Sequence, residues 1–97
     1  MKVLILTEGG RGIGFGHIKR CVSLYQAFAE KGIIPEIIVN GDETVESLLK
    51  GKNYQIFNWL KNTGIVLSIV KDADIVICDT FMKVHRTIVE GVTVYTN

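Results

Sequence analysis

Apolar residues in this chain come in short blocks whose period switches repeatedly, and the switches divide it into alternating strands and helices. Lys2 to Thr7 is an almost unbroken run of strand formers, the pattern of a parallel strand covered on both faces. From His17 the period lengthens: Ile18, Cys21, Val22, Tyr25, Phe28 and Ala29 fall on one helical stripe, with Lys19, Ser23, Gln26 and Glu30 opposite. Gly32 suits the residue that caps such a helix. Pro35 can open a strand without breaking a ladder, Glu36 to Val39 supplies it, and Asn40-Gly41 turns the chain. Asp42 is placed to cap a short helix with Glu43 and Glu46 near its positive end, Val45, Leu48 and Leu49 inward, and Gly51 as its stop.

Tyr54 to Phe57 reads as a third strand and Asp74 to Cys78 as a fourth, ending at Asp79-Thr80. Ile65 to Val70 suits either a strand paired with Asp74 to Cys78 or a helix. A helix with Thr63 as cap and Ile65, Val66, Ile69 and Val70 inward keeps the alternation, and the turn Lys71-Asp72-Ala73 lacks hairpin residues. Phe81, Val84, Ile88 and Val89 form a last helical stripe, Gly91 caps it, and Val92 to Tyr95 makes a fifth strand. The fold class is therefore α/β: a three-layer αβα Rossmann-like parallel sheet of about five strands, order 3-2-1-4-5, in one domain spanning 1–97. In such a sheet ligands bind outside the carboxyl ends of strands one and four, where Glu8 to His17 would meet Asp79-Thr80.

Charge narrows the partners. Eleven basic against ten acidic side chains leave a formal charge of +1, too little to hold a nucleic acid by counterion release. The run Val3 to Leu6 is too short for a signal-peptide core or a membrane span, so the expectation is a cytoplasmic protein. Cys21 and Cys78 have neither a zinc spacing nor a disulfide framework and are expected reduced and buried, with no metal.

The segment Gly9-Gly10-Arg11-Gly12-Ile13-Gly14-Phe15-Gly16-His17 holds half of the chain's ten glycines, more than a strand-to-helix turn requires. Bare amides at Gly14 and Gly16, beside a helix amino end, suit a phosphate or diphosphate, with Arg11 and Arg20 adding charge. The spacing matches neither the dinucleotide fingerprint nor the mononucleotide P-loop, so no nicotinamide cofactor, ATPase or GTPase is expected. His17, in the first turn of a helix at a ligand crevice, is the candidate general base; an ordinary histidine at a helix start merely caps or packs, and the glycines around it favour the functional role. Arg20, one turn along, can bind a phosphate or pair with a carboxylate such as Glu8. Asp79 can orient His17, bind a sugar hydroxyl, or cap the helix that begins near Phe81. Trp59 reads as a packing residue and His85 as a surface one.

The run Gly14-Phe15-Gly16-His17-Ile18-Lys19-Arg20-Cys21 resembles the G-x-G-H-x-x-R-C signature of sugar-nucleotide hydrolases of pseudaminic acid biosynthesis and related spore-coat polysaccharide proteins. The resemblance extends to Cys78-Asp79-Thr80-Phe81, where the family usually carries Asp-Ser-Tyr. It implies the amino-terminal half of a glycosyltransferase-B-like architecture, with a second, nucleotide-binding domain lying beyond this chain. It further implies that His17 activates water at the anomeric carbon of a UDP-linked amino sugar, releasing UDP with inversion, and that Gly12, Gly14, Phe15, Gly16, Arg20, Asp79 and Thr80 line the sugar site. An isolated half is expected to be nearly inactive. Two further readings stand beside it: a half-domain that pairs with itself as a homodimer, and a phosphate-binding module that uses the loop without the histidine.

Overall fold

The computed structural model describes residues 1–80 and 93–96. Its centre is β1 (Val3–Gly9), buried at all seven positions. Parallel strands β2 (Glu36–Gly41) and β4 (Ile75–Asp79) flank it, and β3 (Tyr54–Ile56) lies outside β2, so these four run β3-β2-β1-β4. The register sets Leu4 against Glu36 on one side and Val76 on the other. Beyond β4, β5 (Thr93–Thr96) runs parallel to it, with Ile75 opposite Thr93.

The near-continuous apolar run of β1 is explained by what covers its two faces. Val3 and Ile5 join Ile37 and Val39 of β2 beneath Ile18, Cys21 and Tyr25 of α1 (Gly16–Glu30) and Leu49 of α2 (Glu46–Leu49). Leu4 and Leu6 join Ile38, Val76 and Cys78 on the other face, beneath Trp59 and beneath Val66 and Val70 of α3 (Thr63–Val70). Each large aliphatic side chain removed from water here is worth about 1.5–3 kcal/mol, which holds the central strands far more firmly than hydrogen bonding alone.

Local chemistry sets the element ends. The amides of Gly32 and Ile33 bond the carbonyls of Ala29 and Phe28, and Gly32 takes a φ of 79°, the left-handed close expected after α1. Asp42 accepts the amide of Thr44 at 2.9 Å and caps the 3-10 turn Glu43–Val45 that runs into α2. The Thr44 hydroxyl above all, then the amides of Arg11 and Thr44, hold the Asp42 carboxyl below the ordinary carboxylate range.

Three expectations are corrected. Asn40-Gly41 continues β2 rather than turning, because β1 itself runs on to Gly9 and pairs with Gly41. Asn62, not Thr63, stands at the cap position of α3, and Thr63 is its first helical residue. Ile65 is 53% exposed rather than inward, because eight residues of helix present a single stripe to the sheet, which Val66 and Val70 occupy. The helix expected around Phe81 to Val89, with His85, lies outside the described residues.

Candidate functional site

Among the described residues, the buried polar side chains gather in one place. Thr7 and Glu8 lie near the end of β1, Asp79 ends β4 and Thr80 follows it, each no more than 7% exposed. Burying polar groups is costly unless they are bonded, so such a cluster marks where the fold serves something other than its core. It lies at the carboxyl edge between β1 and β4, where the strand order reverses direction.

The Thr7 hydroxyl donates to the Asp79 carbonyl at 2.8 Å and ties the two strand ends together. On the other side of the chain, the Trp59 indole donates to the Thr7 carbonyl at 2.7 Å. Trp59 is thus a packing residue, as expected, but one whose polar edge steadies the floor of the site.

Above that floor α1 presents His17 and Arg20, one turn apart, to Asp79. Arg20 grips the carboxylate with a fork: Nε donates to Oδ2 at 2.8 Å and Nη2 to Oδ1 at 3.0 Å. The pairing raises the Arg20 pKa above its already high ordinary value, through the hydrogen bond and the charge of Asp79. His17 Nδ1 stands 2.5 Å from Asp79 Oδ1. A carboxylate held by a guanidinium accepts hydrogen bonds, so Nδ1–H is the donor in this pair. Arg20 Nη2 also lies 2.9 Å from Nδ1, a contact between two donors rather than a hydrogen bond. The imidazole is largely covered, its side chain 12% exposed, whereas that of Arg20 is 55% exposed and keeps N–H groups beyond those given to Asp79.

The glycine loop is built differently from expectation. Gly10 and Gly14 exchange backbone bonds, Gly10 N–H to Gly14 O at 3.0 Å and Gly14 N–H to Gly10 O at 2.7 Å, closing a tight turn. The Gly14 amide is therefore engaged within the turn and is no bare phosphate donor; its φ of 91° explains why a glycine stands there. The Gly16 amide remains in the first turn of α1, which has no acidic side chain and no side-chain cap. Phe15 precedes it with its ring packed against the core under α1.

The glycines fall into two groups. A Cβ on Gly41 would strike the Gly9 carbonyl, and one on Gly9 would stand 2.7 Å from Ile18 Cγ1. Among the described residues, a Cβ on Gly12 would meet nothing within 4 Å, and one on Gly16 only Arg20 Nη1 at 3.9 Å. The first group is required by packing; the second meets no crowding among the described residues.

The structure thus brings His17, Arg20, Asp79 and Thr80 to one edge with Gly12, Gly14, Phe15 and Gly16 in the adjoining loop. Thr7 has no place among the residues the sequence marks, its one signal being a threonine near the end of a buried strand, and Asp42 reads in the sequence as a cap alone. Cys21 and Cys78 are free and buried, and burial pushes both thiols up to about 11, offset at Cys21 by the Thr7 hydroxyl. Among the described residues no cluster of three or more His, Cys, Asp or Glu could hold a metal ion, and no helix is long and apolar enough to cross a membrane. Comparison of the chain with protein-family models, with curated proteins and with solved structures finds no match.

Proposed function

We propose that the chain is the amino-terminal, Rossmann-like half of a cytoplasmic UDP-sugar hydrolase or glycosyltransferase-like enzyme of surface polysaccharide or nonulosonate biosynthesis, with His17 as general base. In this reading the sheet is five-stranded and three-layered, and a second, nucleotide-binding domain faces it across the crevice. The observation that carries the proposal is the Asp79–His17–Arg20 network at the reversal point of the sheet. A base must be held in one tautomer and aimed, and a carboxylate bonded to Nδ1–H does both.

The chemistry follows from that arrangement. His17 Nε2 accepts a proton from water as the water oxygen bonds to the anomeric carbon. The bond from that carbon to the diphosphate oxygen breaks, and its electron pair leaves with UDP. If a sugar hydroxyl takes the place of water, the same step is transfer. Arg20, anchored by Asp79, offers its remaining N–H groups to a hydroxyl or phosphate oxygen, and Gly12 and Gly16 leave room for the sugar ring. General-base help is worth about 10²–10⁴ in rate, and positioning by the second domain as much again or more.

Calorimetric titration with a UDP-amino sugar, UDP and inorganic phosphate tests the reading. The UDP-amino sugar is expected to bind more tightly than phosphate, and Arg20→Ala and His17→Ala to weaken it. Equal affinity for phosphate and sugar nucleotide, unaffected by His17→Ala, would replace the enzyme reading by a plain phosphate-binding module.

A further inference from the structure

β1 and β2 leave the sheet side by side, with Gly9 opposite Gly41 in the register. The two segments that follow, the glycine turn and the turn into α2, are therefore neighbours, and one side chain joins them. Asp42 divides its carboxylate between two tasks. Oδ1 accepts from the Thr44 amide at 2.9 Å and from the Thr44 hydroxyl, the capping bonds of the turn into α2. Oδ2 accepts the amide of Arg11 at 3.0 Å, 31 residues away in the chain. The same carboxylate fills the space beside Gly10, where a Cβ would stand 2.9 Å from Asp42 Cγ. A cap needs one oxygen only; the second holds the loop. The Arg11–Glu43 ion pair at 2.6 Å lies alongside, but with side chains 69% and 64% exposed it contributes little.

We propose that Asp42 is a positioning residue for the candidate site: by holding Arg11 and Gly10 it fixes the glycine turn against the sheet, and so fixes where α1 begins and where His17 stands. The functional part of this inference rests on the reading of His17 given above. The mechanical path is short. Gly10 and Gly14 are cross-bonded, Phe15 and Gly16 lead directly into α1, and Ile18 in its first turn packs on Gly9. A turn released from Asp42 has no means of moving without carrying the amino end of α1.

Two substitutions separate the cap from the tie. Asp42→Ser keeps an oxygen for the Thr44 amide but is too short to reach Arg11. Thr44→Ala removes a bond on the capping side and leaves the one to Arg11. The readouts are the amide NMR shifts of Gly10, Arg11, Gly14 and His17 in the ligand-free chain, the denaturation midpoint, and the Kd for a UDP-amino sugar. Asp42→Ser is expected to move the loop amides and to raise Kd by about tenfold or more. Thr44→Ala is expected to leave both in place at a similar midpoint. Loop amides that stay put in Asp42→Ser, or that move equally in both variants, overturn the proposal. Should Asp42→Ser not fold, Asp42→Asn, whose single acceptor oxygen cannot serve both partners, takes its place under the same criteria. If the unaltered chain binds no sugar nucleotide, the functional reading fails, while the ligand-free shifts still decide whether Asp42 holds the loop.

Discussion

His17 and Asp79 are 62 positions apart in the chain and meet at 2.5 Å across the carboxyl edge of the sheet. One lies in the first turn of α1 and the other is the last residue of β4, so the pair exists only because β1 and β4 are neighbours. Arg20 closes the arrangement from the same helix face, and the mostly buried carboxylate has a partner for each oxygen.

Removing that carboxylate should separate tautomer from fold. Asp79→Ala is expected to destabilise the chain by about 1–3 kcal/mol, measured by urea denaturation, since it strips a part-buried imidazole of its acceptor. Long-range proton–nitrogen correlation on His17 should show Nδ1–H in the unaltered chain and a loss of that preference in the variant. An unchanged tautomer would mean that Asp79 does not orient the ring.

The two groups of glycines should respond oppositely to alanine. Gly41→Ala meets the Gly9 carbonyl, and Gly10→Ala faces both the Asp42 carboxylate and a φ of 133°, so each should cost about 1–3 kcal/mol. Gly16→Ala meets no backbone among the described residues and should stabilise the chain by roughly 0.4–1 kcal/mol. Among the described residues its added methyl meets only the end of Arg20, so on the proposed reading sugar-nucleotide binding should fall while the denaturation midpoint rises. A Gly16→Ala chain that is more stable and binds equally well would show that this face is not the ligand's.

The buried thiols give the pH dependence. Burial raises the pKa of Cys21 and Cys78 from 9.0 to about 11, so between those values the unfolded chain has lost protons that the folded chain keeps. Stability should therefore be constant below about pH 9 from this source and fall as pH rises toward 11, by up to about 2–3 kcal/mol per thiol. Alkylation at pH 8 should be slow for both until denaturant is added. Rapid labelling in the folded chain would contradict their burial.

Trp59→Phe keeps the ring but removes the donor to the Thr7 carbonyl. A loss of about 1–3 kcal/mol is expected, read from the urea midpoint. A neutral substitution would show that the indole bond adds nothing beneath the site.

Much of this was legible in the sequence because it depends on local pattern. The unbroken Val3 to Leu6 run, the stripe from Ile18 to Ala29, and Gly32 and Gly51 as stops each report an environment a few residues wide. The order of β1 to β4 followed from alternation and handedness. Its place beside the glycines marks His17, and its place at a strand end marks Asp79. What local pattern did not decide was which role Asp79 would take, since a helix cap and a histidine partner both call for a carboxylate there. The second bond of Asp42 and the closure of Gly14 onto Gly10 are likewise tertiary facts: both depend on β1 and β2 ending side by side. Ile65 misled for a related reason, since an apolar residue on a short helix is inward only if the sheet has room for a second stripe.

The proposed function requires that a sugar nucleotide be recognised where His17, Arg20, Gly12 and Gly16 meet. Proton–nitrogen NMR titration of the chain with UDP, a UDP-amino sugar and inorganic phosphate tests it most directly. Localised shifts at Gly12, Gly16, His17 and Asp79 are expected, strongest with the UDP-amino sugar and weakest with phosphate. No shift in this loop at millimolar sugar nucleotide, or shifts elsewhere on the sheet alone, would contradict it.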